Sequence, residues 1–259
     1  MRLSVIIIAR NEAHNIGPCL AGLAFADERI VVDGGSTDQT VAIARAAGAT
    51  VHVHADWPGF GPQKNRALAY ATGDWVLSVD ADERIGAALA AQIRGAIDSD
   101  AHVAYEIPRR TEFLGTWIAH CGWTPDRVLR LFRRDGARFS DALVHERVEP
   151  PPGPVGRLSA VIDHHSYPDL SAYWRKTAQY AELWAHQQHA AGRRASLAQA
   201  LASGASTFVR AYLLRLGFLD GGPGLVLCVL LAHGAFLKYV TLIDLGRREP
   251  EPLAGQEVK

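Results

Sequence analysis

The 259-residue sequence predicts an α/β fold: a parallel, helix-covered sheet followed by a helical C-terminal region. Three observations carry this. Short apolar runs alternate with helical patterns four times over the first third of the chain, the signature of a parallel sheet with right-handed crossovers. Each of three runs stops abruptly at polar residues: Asn11-Glu12, Asp33 and Asp80-Ala81-Asp82. From about Ser171 the strand pattern is gone and the sequence reads as helix.

The elements follow in order. Leu3 to Ala9 is rich in β-branched residues and predicts a buried parallel strand. A helix follows with Ile16, Leu20 and Leu23 on one face, where Pro18 is tolerable only in the first turn. Arg29 to Val32 is a second strand, closed by Asp33 and the turn Gly34-Gly35-Ser36-Thr37-Asp38. The helix from about Thr40 to Ala47 stops at Gly48, and Thr50 to His54 forms a third strand. Gly59 to Pro62 reads as a loop and Gln63 to Ala71 as a helix ended by Gly73. Trp75 to Val79 is the fourth strand. Tyr105–Arg110 and Val128–Arg134 are further strand patterns, the second with one basic face. The arginines of both, Arg109 and Arg110 as well as Arg130, Arg133 and Arg134, would either steer an anionic acceptor or form an exposed strand face. The cluster Pro150 to Pro154 is a breaker and a candidate boundary.

The polar strand ends define the expected site. In an open α/β sheet, ligands lie beyond the carboxyl ends of the strands. Several carboxylates gathered there repel one another unless a cation joins them. Carboxylates are hard oxygen ligands suited to Mg²⁺ or Mn²⁺, and Mg²⁺ usually takes one or two of them plus substrate phosphates. Asp80-Ala81-Asp82 therefore predicts a metal–diphosphate site, with Lys64 near the same edge either to neutralise phosphate or as a solvated helix lysine. Asp33 suits a ribose or a base edge. Neither a Gly-x-Gly-x-x-Gly after the first strand nor a P-loop motif is present, so hydride transfer and P-loop chemistry have little support. With 27 basic and 27 acidic residues, the net charge gives no argument for nucleic acid as a partner. Cys19, Cys121 and Cys228 have no metal-ligand spacing and read as buried small hydrophobes in a reducing compartment. The N-terminal apolar run is too short for a signal peptide and reads as a strand of a cytosolic protein.

Four blocks, Ser4 to Glu12, Val31 to Asp38, Gln63-Lys64-Asn65 and Asp80-Ala81-Asp82-Glu83, resemble the inverting glycosyltransferases of family 2, in their order and spacing. The resemblance implies the GT-A nucleotide-diphosphosugar transferase fold, with helices on both faces of its sheet and a sugar nucleotide as donor. It implies that Asn11, Glu12 and Asp33 bind the nucleoside, that Lys64 and Asp80 lie near the ribose and diphosphate, and that Asp82 holds a divalent Mg²⁺ or Mn²⁺. Transfer with inversion needs a base to take the acceptor proton. Glu146 and Asp126 are the candidates, with His145 as an orienting neighbour. Glu146 is preferred because the His-Glu pair stands where the family carries its acceptor-side acid, although the commoner pair there is Glu-Asp. Trp117, His120 and Trp123 could line a sugar site, but core packing is the simpler role for most such aromatics.

The expected organisation is a catalytic domain over 1–168, comprising a nucleotide-sugar half (1–100) and an acceptor half (101–168), then a helical region over 169–248 and a flexible tail over 249–259. Asp163-His164-His165 has metal-like letters, yet neighbours on a strand face opposite ways, which disfavours a shared site. Residues 171–219 hold six Lys/Arg and one acid, Glu182, with Phe208, Tyr212, Leu213, Leu216 and Phe218 as an apolar side. This is a basic amphipathic segment suited to an anionic membrane surface. Leu225 to Leu237 is too short to span a bilayer and is expected to be re-entrant, interfacial or buried. The alternative for the tail is a packed helical hairpin or a dimer contact. Gly217 to Gly224 with Phe236-Leu237-Lys238-Tyr239 is similar to the subgroup acting on the lipopolysaccharide inner core, which transfers glucose from UDP-glucose to heptose. That implies a lipid-linked saccharide acceptor and a peripheral position on the inner face of the cytoplasmic membrane. Transfer to polyprenyl phosphate or another envelope glycan, and a non-catalytic sugar-nucleotide-binding protein, are the competing expectations.

Overall fold

The computed structural model describes residues 1–140, 146–167 and 169–248. The chain forms two units, Met1–Thr111 with Pro125–Ser166, and Glu112–Thr124 with the chain from Tyr167 onward. The first unit opens with β1 (Leu3–Ala9), α1 (Ile16–Ala21), β2 (Glu28–Asp33), α2 (Thr40–Ala46), β3 (Thr50–Val53), α3 (Phe60–Tyr70) and β4 (Trp75–Ser78). It continues with β5 (Glu83–Ile85), α4 (Ala87–Ser99) and β6 (Ala104–Phe113), whose end enters the second unit. The second unit takes β7 (Thr116–Ile118), and the first resumes with β8 (Asp126–Arg133), β9 (Arg138–Phe139), β10 (Val148–Glu149), β11 (Val155–Arg157) and β12 (Ile162–His164). The Pro150–Pro154 run is thus a loop inside the first unit, between β10 and β11.

The main sheet runs β3-β2-β1-β4-β8-β6-β12-β5. β3, β2, β1 and β4 are mutually parallel, while β8 lies antiparallel between β4 and β6. Successive residues of β1 enter opposite layers: Val5, Ile7 and Ala9 pack with α1, α2 and α4, whereas Ile6 and Ile8 pack with α3. Both faces are covered, which is why the strands read as continuous apolar runs rather than alternating ones. The register aligns Ala9 with Asp33 and Asp33 with Val53, so the carboxyl ends of β1 and β2 finish level.

The second unit contains α5 (Leu170–Ala190), α6 (Leu197–Val209), a π-helical turn at Arg210–Leu214, a 3₁₀ turn at Gly217–Asp220 and α7 (Gly221–Arg248). α6 starts with a capping box, Ser196 accepting from Gln199 N–H while the Gln199 side chain accepts from Ser196 N–H. α7 corrects the expectation for the apolar run: it is 28 residues long, not 13, and with the preceding turn is long and apolar enough by length and composition to cross a membrane. Pro223 is compatible because it sits in the first turn, where its missing N–H costs nothing. Trp123 is a core aromatic, edge-on to Phe113 and stacked near Tyr167. All three cysteines are buried free thiols.

Candidate active site

The ends of β1 and β2 are tied together by polar side chains. Asp33 is fully buried; its Oδ1 accepts from the Gly35 and Ser36 N–H groups at 3.0 and 2.9 Å, and the Ser36 hydroxyl donates to Oδ2. This tight turn requires glycine twice. Gly35 has φ +83°, and a Cβ on Gly34 would lie 2.3 Å from the Trp57 ring. Asn11 adopts φ +57°, a left-handed conformation that asparagine tolerates better than most residues. Its N–H donates to Ser36 Oγ and its Oδ1 accepts from Thr37 N–H, both at 2.8 Å. Glu12 N–H donates to Thr40 Oγ1 at 2.7 Å, and Glu12 Oε2 accepts from Asn15 at 2.9 Å.

Beyond β4 the charged residues form one alternating chain. Lys64 Nζ, on the buried face of α3, lies 2.7 Å from Glu146 Oε1 and 3.0 Å from Asp80 Oδ1. Arg130, from β8, binds Asp80 Oδ2 and, at 2.8 Å, Glu83 Oε1. Arg109, from β6, bridges Glu83 at 3.2 Å and Asp126 at 2.7 Å. The order is Glu146–Lys64–Asp80–Arg130–Glu83–Arg109–Asp126, four carboxylates and three cations, with both candidate bases at its ends. Burial alone would raise the Asp80 carboxyl, but Arg130 and Lys64 outweigh it and hold it well below the ordinary carboxylate range. Burial likewise opposes the Arg130 charge, yet Asp80 and Glu83 raise its guanidinium above the ordinary arginine range.

Three sequence expectations change here. Protein cations balance much of the carboxylate repulsion that had argued for a metal. And Arg109 and Arg130 are neither acceptor-steering groups nor an exposed face: Arg130 is buried, and both are engaged by carboxylates. Lys64 is not a solvated helix lysine but a buried one with two carboxylate partners.

Asp82 stands outside that chain. Its Oδ2 is 3.3 Å from His164 Nε2, while His164 Nδ1 is 3.0 Å from Thr111 Oγ1. Asp163 faces the other way, onto Arg110, so the alternation argument holds within β12. What the sequence reading missed is that His164 meets a carboxylate 82 positions earlier. With Nδ1 donating to Thr111, the Nε2 lone pair and the Asp82 carboxylate would face a common point. One carboxylate and one imidazole fit a divalent transition-metal ion such as Mn²⁺. Among the described residues no group of three or more His, Cys, Asp or Glu side chains is arranged as a metal site, so a bound diphosphate would supply much of the coordination.

Glu146 is placed by an interaction that no local pattern reveals. Asn65 Nδ2 donates to Phe139 O at 2.9 Å, and Phe139 N–H donates to Asn65 Oδ1 at 2.8 Å. The amide thereby imitates a strand partner for β9, which pairs with β10 two residues beyond Glu146. Asn65 and Lys64, adjacent on α3, thus hold Phe139 and Glu146 respectively. His145, the expected orienting neighbour, lies outside the described residues, as does the tail over 249–259 expected to be flexible.

A parallel half-sheet with acidic residues at its carboxyl ends is the architecture of a nucleotide-sugar transferase of the GT-A type. The comparisons with known proteins agree: the model of the family described as Glycosyl transferase family 2 matches residues 4–146, and the chain belongs to that family. The chain is a glycosyltransferase. It is 30% identical to the lipopolysaccharide core biosynthesis glycosyltransferase LpsC of Rhizobium meliloti (strain 1021), over 92% of this chain and 93% of the relative. An uncharacterized glycosyltransferase of Rickettsia prowazekii (strain Madrid E) is 28% identical, over 94% and 87% of the two chains. Among solved structures, S. aureus TarS 1-349 in complex with UDP aligns over 96% of this chain and 92% of its own, at 20% identity and TM-score 0.48.

Proposed function

We propose that this chain is an inverting hexosyltransferase that moves glucose from UDP-glucose to a lipid-linked saccharide, a heptose of the lipopolysaccharide inner core, at the cytoplasmic face of the membrane. The observation that carries the chemistry is the convergence of Asp80, Lys64 and Glu146 beyond the carboxyl end of β4, with Asp82 two residues further on and paired with His164. The acceptor class is supported by the similarity to LpsC across nearly the whole chain. Asp33, Asn11 and Glu12 receive the nucleoside, and Lys64 turns a positive charge towards the diphosphate. Asp82 and His164 would hold the divalent ion, which would supply positive charge to the departing diphosphate.

Glu146 accepts the proton of the acceptor hydroxyl. The acceptor's hydroxyl oxygen attacks the anomeric carbon in line with the bond to the diphosphate, that bond breaks, and UDP leaves with the bonding pair. Asp126 is the weaker candidate for the base, because Arg109 holds it through both Nε and Nη2.

The test is turnover of a panel of UDP-, GDP- and ADP-sugars by the purified protein, offered a heptose-containing core lipid or a polyprenyl phosphate. Metal-dependent consumption of UDP-glucose that requires the core lipid is the expected result. Transfer to polyprenyl phosphate alone would overturn the acceptor, and tight UDP binding without turnover of any donor would overturn catalysis.

A further inference from the structure

Exposed apolar residues are unevenly distributed. Of 22 exposed large hydrophobic side chains among the described residues, 17 belong to the second unit. Their densest run is the turn joining α6 to α7, where Leu213, Leu214, Leu216, Phe218 and Leu219 are all exposed within seven residues, Leu214 at 75%. Leu225, Val226 and Val229 extend the patch along the first turns of α7.

This turn is firmly held from within. Ala211, Gly217, Leu227 and Cys228 are buried with Cys121 and Phe113. A Cβ on Gly217 would lie 2.6 Å from Cys228 Sγ and 2.8 Å from Ala211 O. Asp220, the turn's acid, points inward, accepting from the Ala119 and His120 N–H groups at 3.2 and 2.9 Å and lying 2.8 Å from His120 Nδ1. Leu216 has φ +55°, a conformation that a leucine side chain strains to adopt. The strain turns a large aliphatic group outward when a glycine would serve the backbone better, and such outliers concentrate where function requires them.

We propose that the 213–219 turn is a membrane-inserting tip, and that its partner is the surface of a bilayer containing anionic lipid. The charges fit this partner. Arg210 and Arg215 are exposed on either side of the first leucines, and the turn's own acid, Asp220, is turned inward onto His120. Apolar side chains enter the acyl boundary while the arginines remain at the headgroups. A second copy of the chain suits the patch less well, since a two-fold contact would bring arginine-flanked faces together.

A spanning role for α7 also fits less well. α5 covers one side of α7 through Trp174 against His233 and Trp184 against Tyr239, and Gly204 of α6 meets Ala232 and Phe236 on another. α5 brings Arg175, Glu182, His186 and Gln187 with it, exposed groups that hydrocarbon does not accept. The tip is therefore an interfacial contact. It deepens the proposed transfer to a lipid-linked acceptor by naming the surface that meets the membrane, and it is tested without donor or acceptor.

The experiment is flotation of the full chain with vesicles of phosphatidylcholine alone and with roughly 30 mol % phosphatidylglycerol. Wild type, Leu214→Asp and Arg210→Gln are compared, with UDP binding measured on each. A Leu214→Trp variant reports insertion through its emission. The expected result is partition onto the anionic vesicles only, a loss of about tenfold or more in Leu214→Asp, a smaller loss in Arg210→Gln, and a blue shift of the Leu214→Trp emission. UDP binding should be unchanged throughout. Equal partition of Leu214→Asp and wild type, absence of a blue shift, or concentration-dependent dimerisation lost in Leu214→Asp without vesicle binding would overturn the proposal. Failure here leaves the donor chemistry standing, because UDP binding is read separately.

Discussion

Replacing Arg130 by methionine would break the charge chain at its centre. The guanidinium is 9% exposed at the side chain and serves two carboxylates, Asp80 and the fully buried Glu83. Breaking a buried ion pair by removing one partner costs about 3–5 kcal/mol, because a charge is left uncompensated. Two features hold the cost to the low end. Arg109 remains 3.2 Å from Glu83, and Lys64 remains 3.0 Å from Asp80. The expected loss is about 3 kcal/mol at neutral pH, a large share of the ~5–15 kcal/mol that holds a typical domain together. Urea denaturation followed by circular dichroism measures it, with the slope unchanged.

The pH dependence adds a second reading. The folded Asp80 carboxyl lies below its ordinary value of 3.8, so its contribution is fully present above that value and is lost as pH falls through the lower folded one. In Arg130→Met the folded carboxyl moves back up, and the gap between variant and wild type should narrow below about pH 4. Arg130→Lys keeps the charge but not the fork of donors and should fall between the two. A variant within about 0.5 kcal/mol of wild type at neutral pH would refute the view that Arg130 holds these carboxylates.

Glu146→Gln should lower kcat by about 10²–10⁴-fold with little change in the donor KM, whereas Asp126→Asn should cost less; the reverse order in steady-state kinetics would make Asp126 the base. Asp33→Asn keeps an acceptor for the Gly35 and Ser36 N–H groups but sets an NH2 against the Ser36 hydroxyl, and should weaken UDP binding by about 1–3 kcal/mol, read by calorimetry. Gly217→Ala drives a methyl into Cys228 and the Ala211 carbonyl and should destabilise the second unit by about 1–3 kcal/mol in thermal unfolding, while leaving UDP binding intact.

The parallel half of the sheet was legible because buried parallel strands are locally coded. Leu3–Ala9 and Trp75–Ser78 are apolar without alternation, and each stops at a polar residue that must lie at the edge. Nonlocal charge pairing was not legible. Arg130 reads as part of a basic strand face until Asp80 and Glu83, about fifty positions earlier, are seen beside it. Alternation along β12 sends Asp163 onto Arg110, but the partner of His164, Asp82, precedes β5, the strand paired with β12, and that pairing is nonlocal in sequence. The sequence hides the length of α7 because Gly221-Gly222-Pro223-Gly224 looks like a breaker, although its proline falls where a helix accepts one.

The central claim is that the carboxyl ends of β1, β2 and β4 form a metal-assisted site for a nucleoside diphosphate. Calorimetric titration of UDP with and without Mn²⁺, on wild type and Asp82→Ala, tests it most directly. Mn²⁺ should tighten UDP binding to wild type at least about tenfold, and Asp82→Ala should lose this gain while keeping its metal-free affinity. UDP binding that ignores Mn²⁺ in wild type, or a gain that survives in Asp82→Ala, would contradict it.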